Sequence, residues 1–230
     1  MRRLLIKGRC EARLITPHLA PLTRKAALSM RRTMLLLATM ALTLLVASGV
    51  ALALTRIGTD GPDTLRGTKG DDNLIGKGGN DILLSLAGDD TLLGGPGKDV
   101  VNGGNLAEPF AGNKNLVGGE GNDAVQGGLG SDNVLGGEGN DFMVDGEFEP
   151  PAVRDTLSAE GGNDVLSVAN KPAGKDVVSC GSGLDRVLAD RADMVAPDCE
   201  KVFIGPAAAD KFFNSIPESF FEGLNPEVFG

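Results

Sequence analysis

Residues 116–144 read LVGGEGNDAVQGGLGSDNVLGGEGNDFMV. Three glycine-rich hexapeptides follow one another, each ending in aspartate and each followed by a triplet with an aliphatic residue at its centre. The register extends both ways. Aspartates stand nine residues apart at Asp63, Asp72, Asp81, Asp90 and Asp99, and again at Asp123, Asp132 and Asp141; looser copies end at Asp155, Asp164, Asp176 and Asp185. Two residues after these twelve stand Leu65, Leu74, Leu83, Leu92, Val101, Val125, Val134, Met143, Leu157, Leu166, Val178 and Val187, all aliphatic. Two residues before them, eleven of twelve positions are glycine, Val153 being the exception. A random acidic linker would not hold both columns; the chain is an internal repeat.

A nine-residue unit with a six-residue turn leaves three residues for a strand. Strand alternation points the central aliphatic inward and its neighbours outward. Glycine supplies the positive φ and close backbone approach of a tight turn. The Asn or Asp just before the key aspartate (Asp71, Asn80, Asp89, Asn122, Asn140 and Asn163) is expected to take a left-handed conformation too. Strands this short hold only when stacked. Two units per circuit give two parallel sheets with turns along both edges.

Residues eighteen apart then lie over one another, about 4.8 Å apart. Asp63 is expected over Asp81, Asp72 over Asp90, Asp81 over Asp99 and Asp123 over Asp141. Two such carboxylates repel by ~0.9 kcal/mol in water and ~3.5 kcal/mol at an effective dielectric of about 20. A core of two aliphatic side chains per circuit is too thin to carry that penalty along both edges. A hard divalent cation between successive turns reverses its sign, taking carboxylate oxygens from the aspartates and carbonyl oxygens from the glycine turns. Six to eight oxygens at about 2.3–2.6 Å is calcium coordination. The expected metal residues are Asp63, Asp72, Asp81, Asp90, Asp99, Asp123, Asp132, Asp141 and Asp164, with Gly79, Gly97, Gly121, Gly130 and Gly139. The only histidine, His18, lies before the repeats, so zinc and copper are not supported. Metal binding and folding are then one event.

GGPGKDVVN (94–102), GGEGNDAVQ (118–126), GGLGSDNVL (127–135) and GGEGNDFMV (136–144) resemble the RTX, or hemolysin-type, calcium-binding nonapeptide over a region of 58–189. The resemblance implies an all-β fold, a right-handed parallel β-roll (a β-solenoid) with several Ca²⁺ ions between its turns. Departures are visible. Ser85-Leu86, Pro150-Pro151, Ala159-Glu160 and Lys171-Pro172 replace the paired glycines of the turns that end at Asp90, Asp155, Asp164 and Asp176. The segments 102–115 and 145–154 stretch the spacing and are expected to be loops bulging from an edge.

Outside the repeats the chain changes character. It holds 22 basic and 31 acidic residues; nine of the basic and one of the acidic lie in 1–53, leaving 13 and 30 beyond. A body that acidic repels nucleic acid and anionic membranes, so no nucleic-acid partner is expected. Arg31 and Arg32 precede an uncharged stretch, 33–55, containing Ala51-Leu52-Ala53. This reads as a secretory signal cleaved after Ala53, or as a membrane anchor left in place with the acidic body outside. Residues 1–29 look like an extension before a second plausible start at Met30. The expected organisation is therefore 1–53 as extension and signal or anchor, 54–205 as the roll, and 206–230 as a Phe-rich cap or tail. Cys180 and Cys199, nineteen apart and nearly one circuit, are expected to form a disulfide that staples the last turn in an exported, oxidising setting. Phe212, Phe213, Ile216, Phe220, Phe221 and Leu224 fit an amphipathic helix broken at Pro217, either capping the open end of the coil or docking a partner.

Catalysis finds no foothold. Beyond residue 53 there is no histidine, no Gly-x-Ser-x-Gly elbow and no phosphate loop, and the repeat already accounts for most carboxylates. The expectation is a secreted, non-catalytic calcium-binding protein; the alternative is an envelope protein, tethered through 33–55, that uses the roll as a spacer or adhesive rod.

Overall fold

The computed structural model describes residues 52–104, 112–145, 153–169 and 174–225. The expected leader and the middles of both inserts lie outside them. The described residues form sixteen strands, from Thr55–Ile57 to Lys201–Ile204. In chain order the odd-numbered strands make one eight-stranded sheet and the even-numbered ones the other. Every pairing is parallel and joins each strand to the one two places on, so one circuit carries two repeats. This is a parallel β-roll.

The inward column of one sheet runs Leu74, Leu92, Leu116, Val134, Leu157, Val178. The facing column runs Leu65, Leu83, Val101, Val125, Met143, Leu166, Val187. All are buried in a single core, with Cys180 and Cys199 closing its end. The twelve aliphatics of the register are therefore the core. Leu116 is a thirteenth, belonging to a unit that aspartate spacing does not reveal. Both inserts leave and rejoin the coil without shifting its faces, since Leu92 pairs with Leu116 and Val134 with Leu157 in the same inward column.

Two local features differ from expectation. Thr91–Pro96, Asn115–Glu120, Asn133–Glu138 and Thr156–Gly161 run to six residues rather than three, because Gly95, Gly119, Gly137 and Glu160 also pair from circuit to circuit. The Phe-rich segment forms two five-residue helices, Ala209–Phe213 and Glu218–Glu222, with Pro217 as N-cap of the second. It does not cap the coil. Phe212, Ile216, Phe220 and Leu224 pack on Val165 and Leu188, with Phe142 and Phe203 at the margin. These are outward residues of the even-numbered sheet, whereas the last inward residue of that sheet, Val202, stays 39% exposed. Hydrophobic outward positions on the later circuits draw the tail onto the sheet face.

The roll is closed at its far end by Cys180–Cys199, whose Cα atoms are 5.2 Å apart. Replacing Leu116 by Ala is expected to cost about 2–5 kcal/mol in urea unfolding of the calcium-loaded protein. A loss well below ~1 kcal/mol would place this unit outside the core.

Candidate metal centre

The register aspartates form two files, one on each edge of the roll. Along one edge the backbone N–H of Asp63 donates to Oδ1 of Asp81 (2.8 Å), Asp81 to Asp99 (2.8 Å), Asp99 to Asp123 (2.7 Å), Asp123 to Asp141 (2.8 Å), Asp141 to Asp164 (2.8 Å) and Asp164 to Asp185 (2.8 Å). Along the other edge Asp72 donates to Asp90 (2.8 Å), Lys114 to Asp132 (2.7 Å), Asp132 to Asp155 (2.5 Å), Asp155 to Asp176 (2.9 Å) and Asp176 to Asp193 (3.2 Å). From Asp72 and Asp81 onward, one oxygen of each file carboxylate is thus spent on holding adjacent circuits together.

The second oxygen is not. Oδ2 of Asp81, Asp99, Asp123, Asp132, Asp141, Asp164 and Asp185 is buried and has no hydrogen-bond partner. A buried, unsatisfied carboxylate oxygen is costly. Burial accordingly pushes these groups up, to about 6 for Asp132, about 7 for Asp99, Asp123 and Asp164, and about 8 for Asp141, against the opposing pull of the ladder N–H. Asp81 and Asp185 are raised for the same reason.

The residue four places before each aspartate decides whether Oδ2 is satisfied. In the first two turns it is threonine. Thr59 donates its N–H (2.6 Å) and hydroxyl (2.8 Å) to Asp63 Oδ2, which holds that carboxyl below its usual range. The Thr68 N–H binds Asp72 Oδ2 in the same way. At the described positions of the later turns it takes a positive φ: Lys77 (82°), Leu86 (85°), Gly95 (115°), Gly119 (127°), Gly128 (106°), Gly137 (120°), Glu160 (75°) and Gly181 (87°). The aspartates that follow these residues have an Oδ2 without a hydrogen bond. Asp63 and Asp72 therefore stand in the files but differ from the other expected ligands.

Carbonyl oxygens converge on the same turns. A Cβ at Gly76 would fall 2.3 Å from Asp81 Oδ2 and 2.6 Å from Gly94 O, and one at Gly121 would fall 1.5 Å from Gly97 O. Gly79, Gly97, Gly121, Gly130 and Gly139 all have positive φ. The Asn/Asp residues before the key aspartates do not, contrary to expectation. They build an outer ladder instead: Asn122 Oδ1 accepts the N–H of Asn140 (2.8 Å), Asn140 Oδ1 that of Asn163 (2.8 Å), and Asp71 Oδ1 that of Asp89 (3.0 Å). A side-chain acceptor for the next circuit is worth more here than an αL conformation.

Lys114 and Asp145 escape aspartate counting, and Asp193 continues the rhythm where the glycines fade. Lys114 takes the place of an aspartate in the second file. Asp145, inside an insert, lies with Asp155 and Asp176 so that one oxygen of each falls within 4.8 Å of the others, all three residues being buried. Burial, and then the neighbouring Asp145 carboxyl, push the Asp155 carboxyl up. Asp193 extends the same file one circuit further. Lys114 left a trace in the sequence, since Gly112 stands two places before it and Leu116 two after, and Asp193 keeps the Asp-x-Val rhythm with Val195; Asp145 left none.

Hard oxygen donors from two circuits, charge concentrated in a thin wall and carboxylates left unsatisfied all fit calcium and no softer ion. Without metal, the folded carboxyls titrate above their unfolded value of about 3.9. Their protonated form is compatible with folding below that value, and the penalty grows as pH rises through the 6–8 range cited above. Metal-free protein is therefore expected to lose order between about pH 5 and pH 8, and calcium added near pH 6.5 to release protons into a weakly buffered solution. A titration that releases none would contradict these shifts.

Comparison with curated proteins and with solved structures gives no match. A family model, the RTX calcium-binding nonapeptide repeat, matches four stretches: residues 57–92, 75–105, 110–143 and 154–169. The third covers the turn ending at Lys114. With the parallel roll and its two oxygen files, this places the repeat region in the RTX calcium-binding nonapeptide-repeat family.

Proposed function

We propose that the chain is an exported, non-catalytic protein whose roll becomes ordered as it loads several Ca²⁺ ions. The observation that carries this reading is the file of buried, unpartnered Oδ2 atoms repeated at each circuit. The ions would be held by Asp81, Asp99, Asp123, Asp132, Asp141 and Asp164, with carbonyl oxygens of the turns at Gly79, Gly97, Gly121, Gly130 and Gly139; Asp90 instead faces the ammonium of Lys114 at 3.7 Å. Asp63 and Asp72, already satisfied by Thr59 and Thr68, are the weakest of the proposed ligands. Calcium, when bound, supplies the positive charge that the desolvated carboxylates lack. The chain's own contribution is to hold the oxygens in place and to exclude water from one side of them.

Two features support export. The Cys180–Cys199 bond suits an oxidising compartment, and a basic lead with an uncharged stretch precedes the acidic body. Where calcium is scarce the roll would stay expanded, and where it is plentiful it would rigidify. A non-catalytic role is supported by the lack of histidine beyond residue 53 and by the use of the carboxylates in the ladders. The uncharged stretch 33–55 is also long enough to span a bilayer, which favours a second reading, an envelope-tethered spacer. The mass of the exported product separates the two: a start at Leu54 means release, and retention of 33–55 means tethering.

Circular dichroism during a calcium titration tests the function itself. Sheet signal is expected to appear with millimolar calcium. The triple variant Asp123→Ala, Asp132→Ala, Asp141→Ala should bind fewer ions with a shallower transition. An unchanged titration in that variant would remove these turns from the metal centre.

A further inference from the structure

The file along the second edge contains one residue of the wrong charge. Lys114 occupies an aspartate position by every backbone criterion. Its N–H donates to Asp132 Oδ1 (2.7 Å), and its carbonyl accepts the N–H of Asn133 (2.8 Å), as the carbonyl of Asp90 accepts that of Asn115 (2.9 Å). Its side chain turns inward, with 1% of it exposed, toward Asp90, which is fully buried. The ammonium donates to the carbonyls of Gly88 (2.7 Å) and Gly112 (3.0 Å) and stands 3.7 Å from Asp90 Oδ2.

Those three oxygens are not an arbitrary set. Gly88 and Gly112 each stand two places before the file residue of their circuit, the position held elsewhere by Gly79, Gly97 and Gly121. Asp90 Oδ2 corresponds to the orphaned oxygen of the other turns. The ammonium thus meets two turn carbonyls and one carboxylate from successive circuits, the donors from which the calcium centres are built. Two of its N–H groups are used on the carbonyls, and the carboxylate lies at ion-pair distance.

We propose that Lys114 is a tethered cation standing where a calcium ion would otherwise lie between two circuits. The inference rests on the calcium reading given above. Two considerations explain why a side chain takes this place. The turn ending at Lys114 is the one that carries the insert of 102–115, so the loop before it is longer than the glycine hexapeptide of the other turns. A lysine reaches the remaining oxygens on its own flexible stem and does not need that hexapeptide. A divalent ion and a fixed ammonium sharing this space would repel each other, so the centre holds one or the other. The second edge is thereby divided by a metal-independent clamp, while the edge from Asp63 to Asp185 runs uninterrupted. The two edges differ in ion number by design of the chain.

Two measurements on the full protein test this. Native mass spectrometry at saturating calcium counts ions in the wild type and in Lys114→Asp, which restores the repeat residue. The variant is expected to hold one more ion than the wild type. Acetylation of the calcium-saturated wild type, read by peptide mass, is expected to modify Lys114 at least about tenfold more slowly than a surface lysine. Lys77, Lys175, Lys201 and Lys211, all exposed, are the comparison. An equal ion count in a variant that still forms sheet overturns the proposal, as does acetylation of Lys114 at the surface rate, since calcium would then have displaced it. Should Lys114→Asp fail to fold, the acetylation rate decides. A wild type that binds no calcium defeats the calcium reading itself, whereas a calcium-binding wild type with no gain in the variant defeats only the assignment of Lys114.

Discussion

A buried carboxylate oxygen with no hydrogen-bond donor, repeated once per turn up each edge of a coil, is the constraint on which this protein depends. One oxygen of each aspartate is useful without metal, because it accepts the N–H of the aspartate a circuit away and so sets the vertical register. The other is a liability. The roll has no wide apolar interior to offset it, only a double column of Leu, Val and Met two side chains across. Stability must come from whatever cation satisfies the outstanding oxygens, and folding is coupled to its supply.

The turn chemistry shows how the liability is switched on and off along the chain. At the start, Thr59 and Thr68 satisfy their own aspartates. In the body, a residue of positive φ replaces the threonine and the oxygen is left over. At the far end Glu200 accepts the N–H of Asp185 in place of an aspartate, and a disulfide closes the last circuit. The roll thus begins with carboxylates held by ordinary hydrogen bonds and continues into a body that requires a counter-charge. Solenoids need distinct terminal units, and here the distinction lies in how a carboxylate is satisfied.

Much of this was legible in the chain. A period of nine, an aliphatic column and a glycine column dictate the coil, its two sheets and its core, because strand alternation and vertical stacking leave no other arrangement of such short strands. Four things were not legible. Lys114 hides its register because the motif is read from the aspartate that it lacks. Thr59 and Thr68 look like tolerated turn residues until their hydroxyls and N–H groups are seen against Asp63 and Asp72. Asp145 lies in an insert and joins Asp155 and Asp176 only through the fold. The Phe-rich tail has the composition of a cap, yet it is drawn to outward-facing Val165 and Leu188, positions that strand alternation alone would assign to solvent.

Amide hydrogen exchange on metal-stripped and calcium-loaded protein at neutral pH tests the central claim most directly. The N–H groups of Asp81, Asp99 and Asp123 are the reporters, since each is donated to a carboxylate one circuit away. The account predicts that they are strongly protected with calcium and exchange at close to unfolded rates once the metal is removed. Equal protection in the two states would mean that the roll satisfies its buried oxygens without an ion, and the account would be wrong.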